Sequence, residues 1–282
     1  MTTDKLLEEV LLNIKNDYEN AILKGGEESV HSLIRSQQLI NYIHEYVKNK
    51  LILEGIPKEN IYPPLNSSKP EVKMSGFLKT KDQDVTVLGS HPYSEIIERG
   101  VLKGKSDKIG KHTMSVSLSI NIRSQLSSLA NNFDTLFERT FAEALNLHLR
   151  CPELVMGELY MVPLFAYDPI KIKNKEIGWK EQLPLEKYLP SFSEINNRKD
   201  KNEDYWKYER VALLIVDFRD EKPKEIKNNK DLLNTGLIDE EKLENINLKE
   251  LNTSNLVSDL LTCYEKRHGS LSPLKINKRF NI

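Results

Sequence analysis

The sequence predicts an α/β fold, a mixed β-sheet flanked by helices, on three observations. Apolar residues recur at helical spacing through residues 3–53, then the period shortens to two and is held from Thr113 to Gln125. A helical period returns over residues 134–149, and two strand-sized apolar runs follow. Helices and strands alternating along one chain of 282 residues build a layered sheet.

The first helix is expected over residues 3–24, with Leu6, Leu7, Val10, Leu11 and Ile14 on one face and Gly25-Gly26 as its stop. A second runs from about Ser29 to Leu53, closed by Gly55 and Pro57. Met74–Thr80 and Asp84–Leu88 read as short strands around a turn at Lys81-Asp82-Gln83, and Tyr93–Arg99 as a short helix before a Lys/Gly-rich loop. In Thr113–Gln125, Met114, Val116, Leu118, Ile120 and Ile122 alternate with Thr, Ser, Asn, Arg and Gln, so one face is apolar and the other polar. The helix that follows carries Phe133, Phe137 and Phe141, read as core, and ends before Pro152. Leu154–Ala166 is a strand that Pro163 marks as an edge or a bulge, and Val211–Phe218 is a buried strand. The last sixty residues read as helical and polar. The chain is taken as one domain: N-terminal helices (1–60), an α/β core (70–220) and a C-terminal helical extension (221–282).

Composition narrows the functional classes. The 41 basic and 42 acidic residues nearly cancel, yet Arg99, Lys103, Lys105, Lys108, Lys111 and Arg123 stand against Asp107 alone between 99 and 123. A basic segment in a neutral chain allows a polyanion partner. The longest apolar run, Val211–Val216, is too short for a membrane helix, and no signal sequence is visible. The two cysteines, Cys151 and Cys263, exclude a Cys-built zinc site and point to a reduced, cytoplasmic protein. There is no P-loop, dinucleotide fingerprint, G-x-S-x-G elbow or HExxH pair.

The remaining chemistry gathers near the expected strand ends. Asp84 opens a strand, and Asn121, Arg123 and Gln125 project from one face of the long strand, since alternate side chains share a face. A carboxylate, a cationic row and the Lys103–Lys111 loop suit phosphodiester chemistry, with the carboxylate on Mg²⁺ and the loop on the phosphate backbone. Simpler readings stand beside this one. Asp84 can be a turn residue, the polar row a solvated sheet face and the lysine loop a soluble loop. Arg139 and Glu143 can form a helix-surface pair, and His148 can answer a helix dipole.

The block Ser119–His148 (SINIRSQLSSLANNFDTLFERTFAEALNLH), followed by Gly157–Pro163 (GELYMVP), resembles type II restriction endonucleases, and the element order is similar to their PD-(D/E)XK core. The resemblance implies a Mg²⁺-dependent, site-specific endonuclease acting on double-stranded DNA, as a homodimer or heterodimer. It places the family's aspartate at Asp84. The acid-x-Lys set of the next strand is replaced by Asn121-Ile122-Arg123 or Arg123-Ser124-Gln125, so the second metal carboxylate must come from elsewhere. Glu143 is taken for it, with Glu138 and Glu45 as alternatives; acid-x-Lys strings at Glu71-Val72-Lys73 and Glu225-Ile226-Lys227 are short enough to arise by chance. Asn121, Arg123 and Gln125 would position phosphate and water. Lys103, Lys105, Lys108 and Lys111, with the segment around Ile170–Lys175, would contact DNA. On this reading Arg123→Ala costs activity far more than stability. The departure from the acid-x-Lys pattern also allows a non-catalytic nucleic-acid-binding protein of nuclease-like fold.

Overall fold

Residues 3–127 and 129–269 are described by the computed structural model. The N-terminal apolar stripe forms α1 (Thr3–Arg35) and α2 (Gln38–Leu53). The helix does not stop at Gly25-Gly26: Gly26 takes φ 59° and ψ −138°, and the helix resumes beyond the kink to Arg35. Only glycine fits there, because a Cβ would lie 2.8 Å from the Ile172 carbonyl oxygen.

Strands β1 (Ile61–Tyr62), β2 (Val72–Ser75), β3 (Thr80–Gln83) and β4 (Val85–Val87) follow. The expected strand Met74–Thr80 folds back on itself as the β2–β3 hairpin, so its turn falls at 76–79 and not at 81–83. The cause is long-range: Asn146 Oδ1 accepts from the Leu78 and Lys79 N–H groups at 2.7 and 3.1 Å, while its Nδ2 donates to Lys79 O at 3.0 Å. Gly76 passes so close that a Cβ would stand 2.3 Å from Asn146 Nδ2.

The expected helix at Tyr93–Arg99 is a second hairpin, β5 (Glu95–Ile96) with β6 (Ser106–Asp107). Arg150 overrides local propensity by bridging Glu95 and Asp107 at 2.8 and 2.6 Å. The long strand expected from Thr113 begins later, as β7 (Leu118–Ser124), after a short helix α3 (Lys111–Ser115). Ser117 Oγ donates to Thr113 O at 2.6 Å and holds that turn closed.

Then come α4 (Leu129–His148), β8 (Val155–Pro163), β9 (Phe165–Tyr167), α5 (Pro169–Lys173), β10 (Trp179–Gln182) and α6 (Leu185–Glu194). β8 is not the edge strand that Pro163 suggested, since it pairs with β7 and β11; the expected single strand Leu154–Ala166 is divided after Pro163, and β9 turns away to pair with β10. The chain continues with β11 (Arg210–Asp217), β12 (Lys224–Ile226), α7 (Asn229–Leu233) and α8 (Leu256–His268).

Six strands form a mixed sheet in the order β1-β4-β7-β8-β11-β12. β7, β8 and β11 run parallel, and the outer pairings are antiparallel. Val85, Ile120, Ile122, Leu159 and Leu214 face α1, α2 and α8. Met156, Tyr160, Leu213 and Ile215 pack on the other side with Phe133 and Leu147 of α4 and Tyr188 and Phe192 of α6. With helices on both faces β8 buries every side chain and β11 all but the half-buried Asp217, which explains the apolar run Val211–Val216. Of the expected extension 221–282, residues 270–282 lie outside the described residues; in the rest β12 closes one sheet edge, and Leu256, Leu260 and Tyr264 of α8 belong to the core.

Candidate functional site

Register brings the polar residues together. Val85 pairs with Ile120 in the antiparallel β4–β7 ladder, which sets Asp84 beside Asn121 one step further on; in the parallel β7–β8 ladder Asn121 pairs with Glu158. Neighbours in register point to the same side of a sheet, so Asp84, Asn121 and Glu158 form a row across three strands. Two residues along β7, Arg123 shares that face. Helix α4 lies over it and brings Glu143 down from above.

The polar face of β7 is therefore not solvated. Ser119 and Asn121 are buried, and the charges make an interior network. Arg123 Nη2 lies 2.6 Å from Glu143 Oε2, and its Nε 3.4 Å from Glu158 Oε1. Lys81, on β3, approaches the same Glu143 oxygen at 3.4 Å. Gln83 Nε2 donates to Glu143 Oε1 at 3.3 Å, and Ser119 Oγ donates to Gln83 Oε1 at 2.8 Å. Asp84 Oδ2 accepts the Ile122 N–H at 2.7 Å, so Asp84 is no simple turn residue.

Burial in a partly dry site changes the acidity of two carboxylates, Asp84 and Glu158. Burial pushes Asp84 up to about 6, against the pull of the Ile122 N–H and the Arg123 charge. Burial likewise pushes Glu158 up to about 8, only partly offset by Arg123. Burial alone would weaken the hold of Arg123 on its proton, but Glu158, Tyr208 and Glu143 more than reverse that, and Arg123 stays a cation. The raised carboxylates next to one guanidinium mark the cluster as a candidate site.

Of the residues singled out in the sequence, Asp84, Asn121, Arg123 and Glu143 converge. Gln125 does not: its Oε1 receives the hydroxyls of Tyr160 and Tyr188 at 3.1 and 2.7 Å, so it braces the core beneath α4 and α6. Glu45 is held by Lys48 at 2.7 Å and the Asn66 N–H at 2.9 Å, and Glu138 is exposed on α4. Glu143 turns inward to Arg123 instead of pairing with Arg139 on the helix surface. His148 is buried, its ring nitrogens 3.0 Å from Tyr205 O and 3.2 Å from Leu154 O. Phe141 is not core; it lies at the surface, stacked 6.3 Å from Trp206. Lys103, Lys105, Lys108 and Lys111 are exposed on and beside the β5–β6 hairpin. In the 170–175 segment, Lys171 pairs with Glu176 and Lys173 with Glu27. Glu225 and Lys227 sit at the far sheet edge, 3.7 Å apart.

Sequence reasoning missed Glu158 and Lys81. Glu158 was legible in principle, as the one charged residue in the apolar run Val155–Pro163. A charge placed in a buried strand needs a partner, and that is a signal in itself. Lys81 carried none, because its position depends on where the β2–β3 turn falls.

Among the described residues no three His, Cys, Asp or Glu side chains surround one point as a ready ligand set. The donor chemistry nonetheless suits a hard divalent cation. Asp84 and Glu158 offer carboxylate oxygens in one row, and Glu158 Oε2 is buried with no hydrogen-bond partner. No family model, curated protein or solved structure matches the chain.

Proposed function

We propose that the protein is a Mg²⁺-dependent endonuclease of restriction type that cuts double-stranded DNA. One observation carries this reading: the Asp84–Asn121–Glu158 row, with Arg123 and the half-buried Lys81 beside it, on the sheet face that α4 covers. The order helix, three antiparallel strands, helix, parallel strand, with an aspartate opening the second strand, agrees with a restriction-endonuclease-like core. Glu158 replaces, one strand over, the acid that position 121 lacks. Asp84 and Glu158 would hold the ion, and Glu143, whose Oε2 already serves Arg123 and Lys81, would orient those cations instead. When bound, the ion would supply Lewis-acid stabilisation and a more acidic water. Arg123 and Lys81 would offset charge on the scissile phosphate, and Lys103, Lys105, Lys108 and Lys111 would contact the backbone. A palindromic target would require a symmetric dimer. Placement in the cytoplasm accords with this role; no described helix is long and apolar enough to cross a membrane.

The test is incubation with long unmethylated phage DNA, with and without Mg²⁺, read on a gel. Discrete Mg²⁺-dependent fragments are expected; intact DNA at every enzyme concentration overturns the nuclease reading. A second reading, a nucleic-acid-binding protein without catalysis, is favoured by the occupation of Glu143 and Glu158 by Arg123. Retarded but uncut DNA in Mg²⁺ would select it.

A further inference from the structure

The β5–β6 hairpin is anchored firmly and yet exposes apolar side chains. Arg150 clamps its root through Glu95 and Asp107 and also donates to Ser75 O at 2.6 Å. Beyond the short ladder, the Ile97 N–H donates to Lys105 O at 2.9 Å and the Gly104 N–H to Ile97 O at 2.8 Å. The loop end is tied by the Val101 N–H to Phe77 O at 3.0 Å, and Phe77 is tied in turn to α4 through its N–H to Asn146 O at 2.8 Å. Despite this anchoring, Tyr93, Val101 and Ile96 are 75%, 68% and 61% exposed. A cleft of about 990 Å³ lies beside them, lined among others by Phe77, Tyr93, Ile96, Arg99, Lys111 and Leu149. A rigid element with three large apolar side chains in water is shaped for a partner.

Charge says which partner. Glu95 and Asp107 are consumed by Arg150, while Arg99, Lys103, Lys105, Lys108 and Lys111 have no carboxylate within ion-pair distance among the described residues. An apolar ridge rimmed by these five cations, against the exposed Glu98 as the one unpaired acid among the residues lining the cleft, fits a polyanion with apolar base edges and methyl groups, that is, duplex DNA. Two-stranded ribbons can enter a groove in this way. We infer that the β5–β6 hairpin is the element that reads the DNA sequence, with Tyr93, Ile96 and Val101 against the bases and the flanking lysines on the phosphates. This rests on the nuclease reading and adds to it which surface chooses the target. Reader and cutter share one rigid body, since Asn146, which secures Phe77, lies one turn from Glu143 on α4.

The test compares the full chain with a Tyr93→Ala/Val101→Ser variant and with a Lys103→Ala/Lys105→Ala/Lys108→Ala variant. Phage DNA is the cleavage probe, and a labelled random-sequence duplex titrated across salt is the binding probe. The apolar variant is expected to lose its discrete fragments, with specific cutting down roughly ten- to a hundredfold, while random-duplex affinity and its salt slope hold. The lysine variant is expected to flatten the salt slope of log affinity by about 3. Wild-type fragments cut unchanged by both variants would overturn the hairpin assignment and leave the nuclease reading standing. Wild-type protein that retards DNA without cutting, with retardation weakened in the lysine variant, would keep the hairpin as a DNA surface and overturn the nuclease. No retardation by wild type, or self-association that Tyr93→Ala abolishes, would overturn the inference.

Discussion

Removing the Arg123 side chain would leave Glu143 and Glu158, 3% and 0% exposed, side by side without the cation they share. A buried charge stripped of its partner typically costs about 3–5 kcal/mol. Arg123→Ala is therefore expected to lose about that much in urea unfolding, which revises the expectation that activity suffers far more than stability; a loss under about 1 kcal/mol would show that the acids do not depend on it. The raised pKa of Glu158 gives a second prediction, with a definite sign. Its folded value, about 8, lies above an ordinary glutamate's, so its contribution is intact below about pH 4 and is lost as pH rises through 8. Glu158→Gln cannot ionise and escapes that loss. Its melting temperature relative to wild type, measured in EDTA, is expected to climb between pH 5 and 9 by an amount worth a few kcal/mol; a difference flat in pH would rule out the burial argument. Asp84→Ala, by contrast, is expected to abolish Mg²⁺-dependent cleavage while leaving duplex binding within about twofold, because only the Ile122 N–H loses an acceptor and the pairs of Arg123 with Glu143 and Glu158 do not run through Asp84. Undiminished nicking would remove Asp84 from the metal site.

At the scale of elements, the β2–β3 turn is made by a residue distant in sequence. Asn146 satisfies the Leu78 and Lys79 N–H groups and the Lys79 carbonyl, all at hydrogen-bonding distance. Asn146→Ala would leave the Leu78 and Lys79 N–H groups without that acceptor, while Lys79 O keeps the Gly76 N–H, at about 1–3 kcal/mol by chemical denaturation. It should also loosen Lys81 and the hairpin tip, seen as faster amide exchange at Leu78, Lys79 and Val101; unchanged exchange there would refute the clamp. The same feature explains what the sequence could and could not convey. Period-two alternation located β7 and helical spacing located α1, α2 and α4, because both are local patterns. The β2–β3 turn, the β5–β6 hairpin and the inward set of Glu143 depend on Asn146, Arg150 and Arg123, whose bonds span 67 to 68, 43 to 75 and 20 residues of sequence respectively. No local window contains such partners. In the site, Asp84, Asn121 and Arg123 were legible from strand position, whereas Glu158, marked only as a lone charge in an apolar run, was tied to them by the register that sets it beside Asn121.

For the whole molecule, the joint between the layers is Glu209, just before β11 and fully buried. It pairs with Arg198 at 3.1 Å and Arg267 of α8 at 2.7 Å, lies 3.6 Å from His148 of α4, and accepts the Met156 N–H of β8 at 2.6 Å. One carboxylate thus ties both helical layers to the centre of the sheet. Burial alone would raise its pKa, but His148, Arg267 and Arg198 together hold it down at about 2. A depressed folded value means that the contribution is present above about pH 4.5 and is lost as pH falls through 2. Glu209→Gln keeps the shape and the Met156 bond but leaves two guanidiniums without their anion. It is expected to destabilise the protein by about 3–5 kcal/mol at pH 7, with the gap to wild type narrowing on acidification because wild type then loses the same charge. Denaturant curves for both proteins at pH 7, 4 and 3 check this directly. A gap that stays constant down to pH 3 would mean that the ion pairs are not what joins the two faces, and that apolar packing of α8 and α4 against the sheet carries the joint alone.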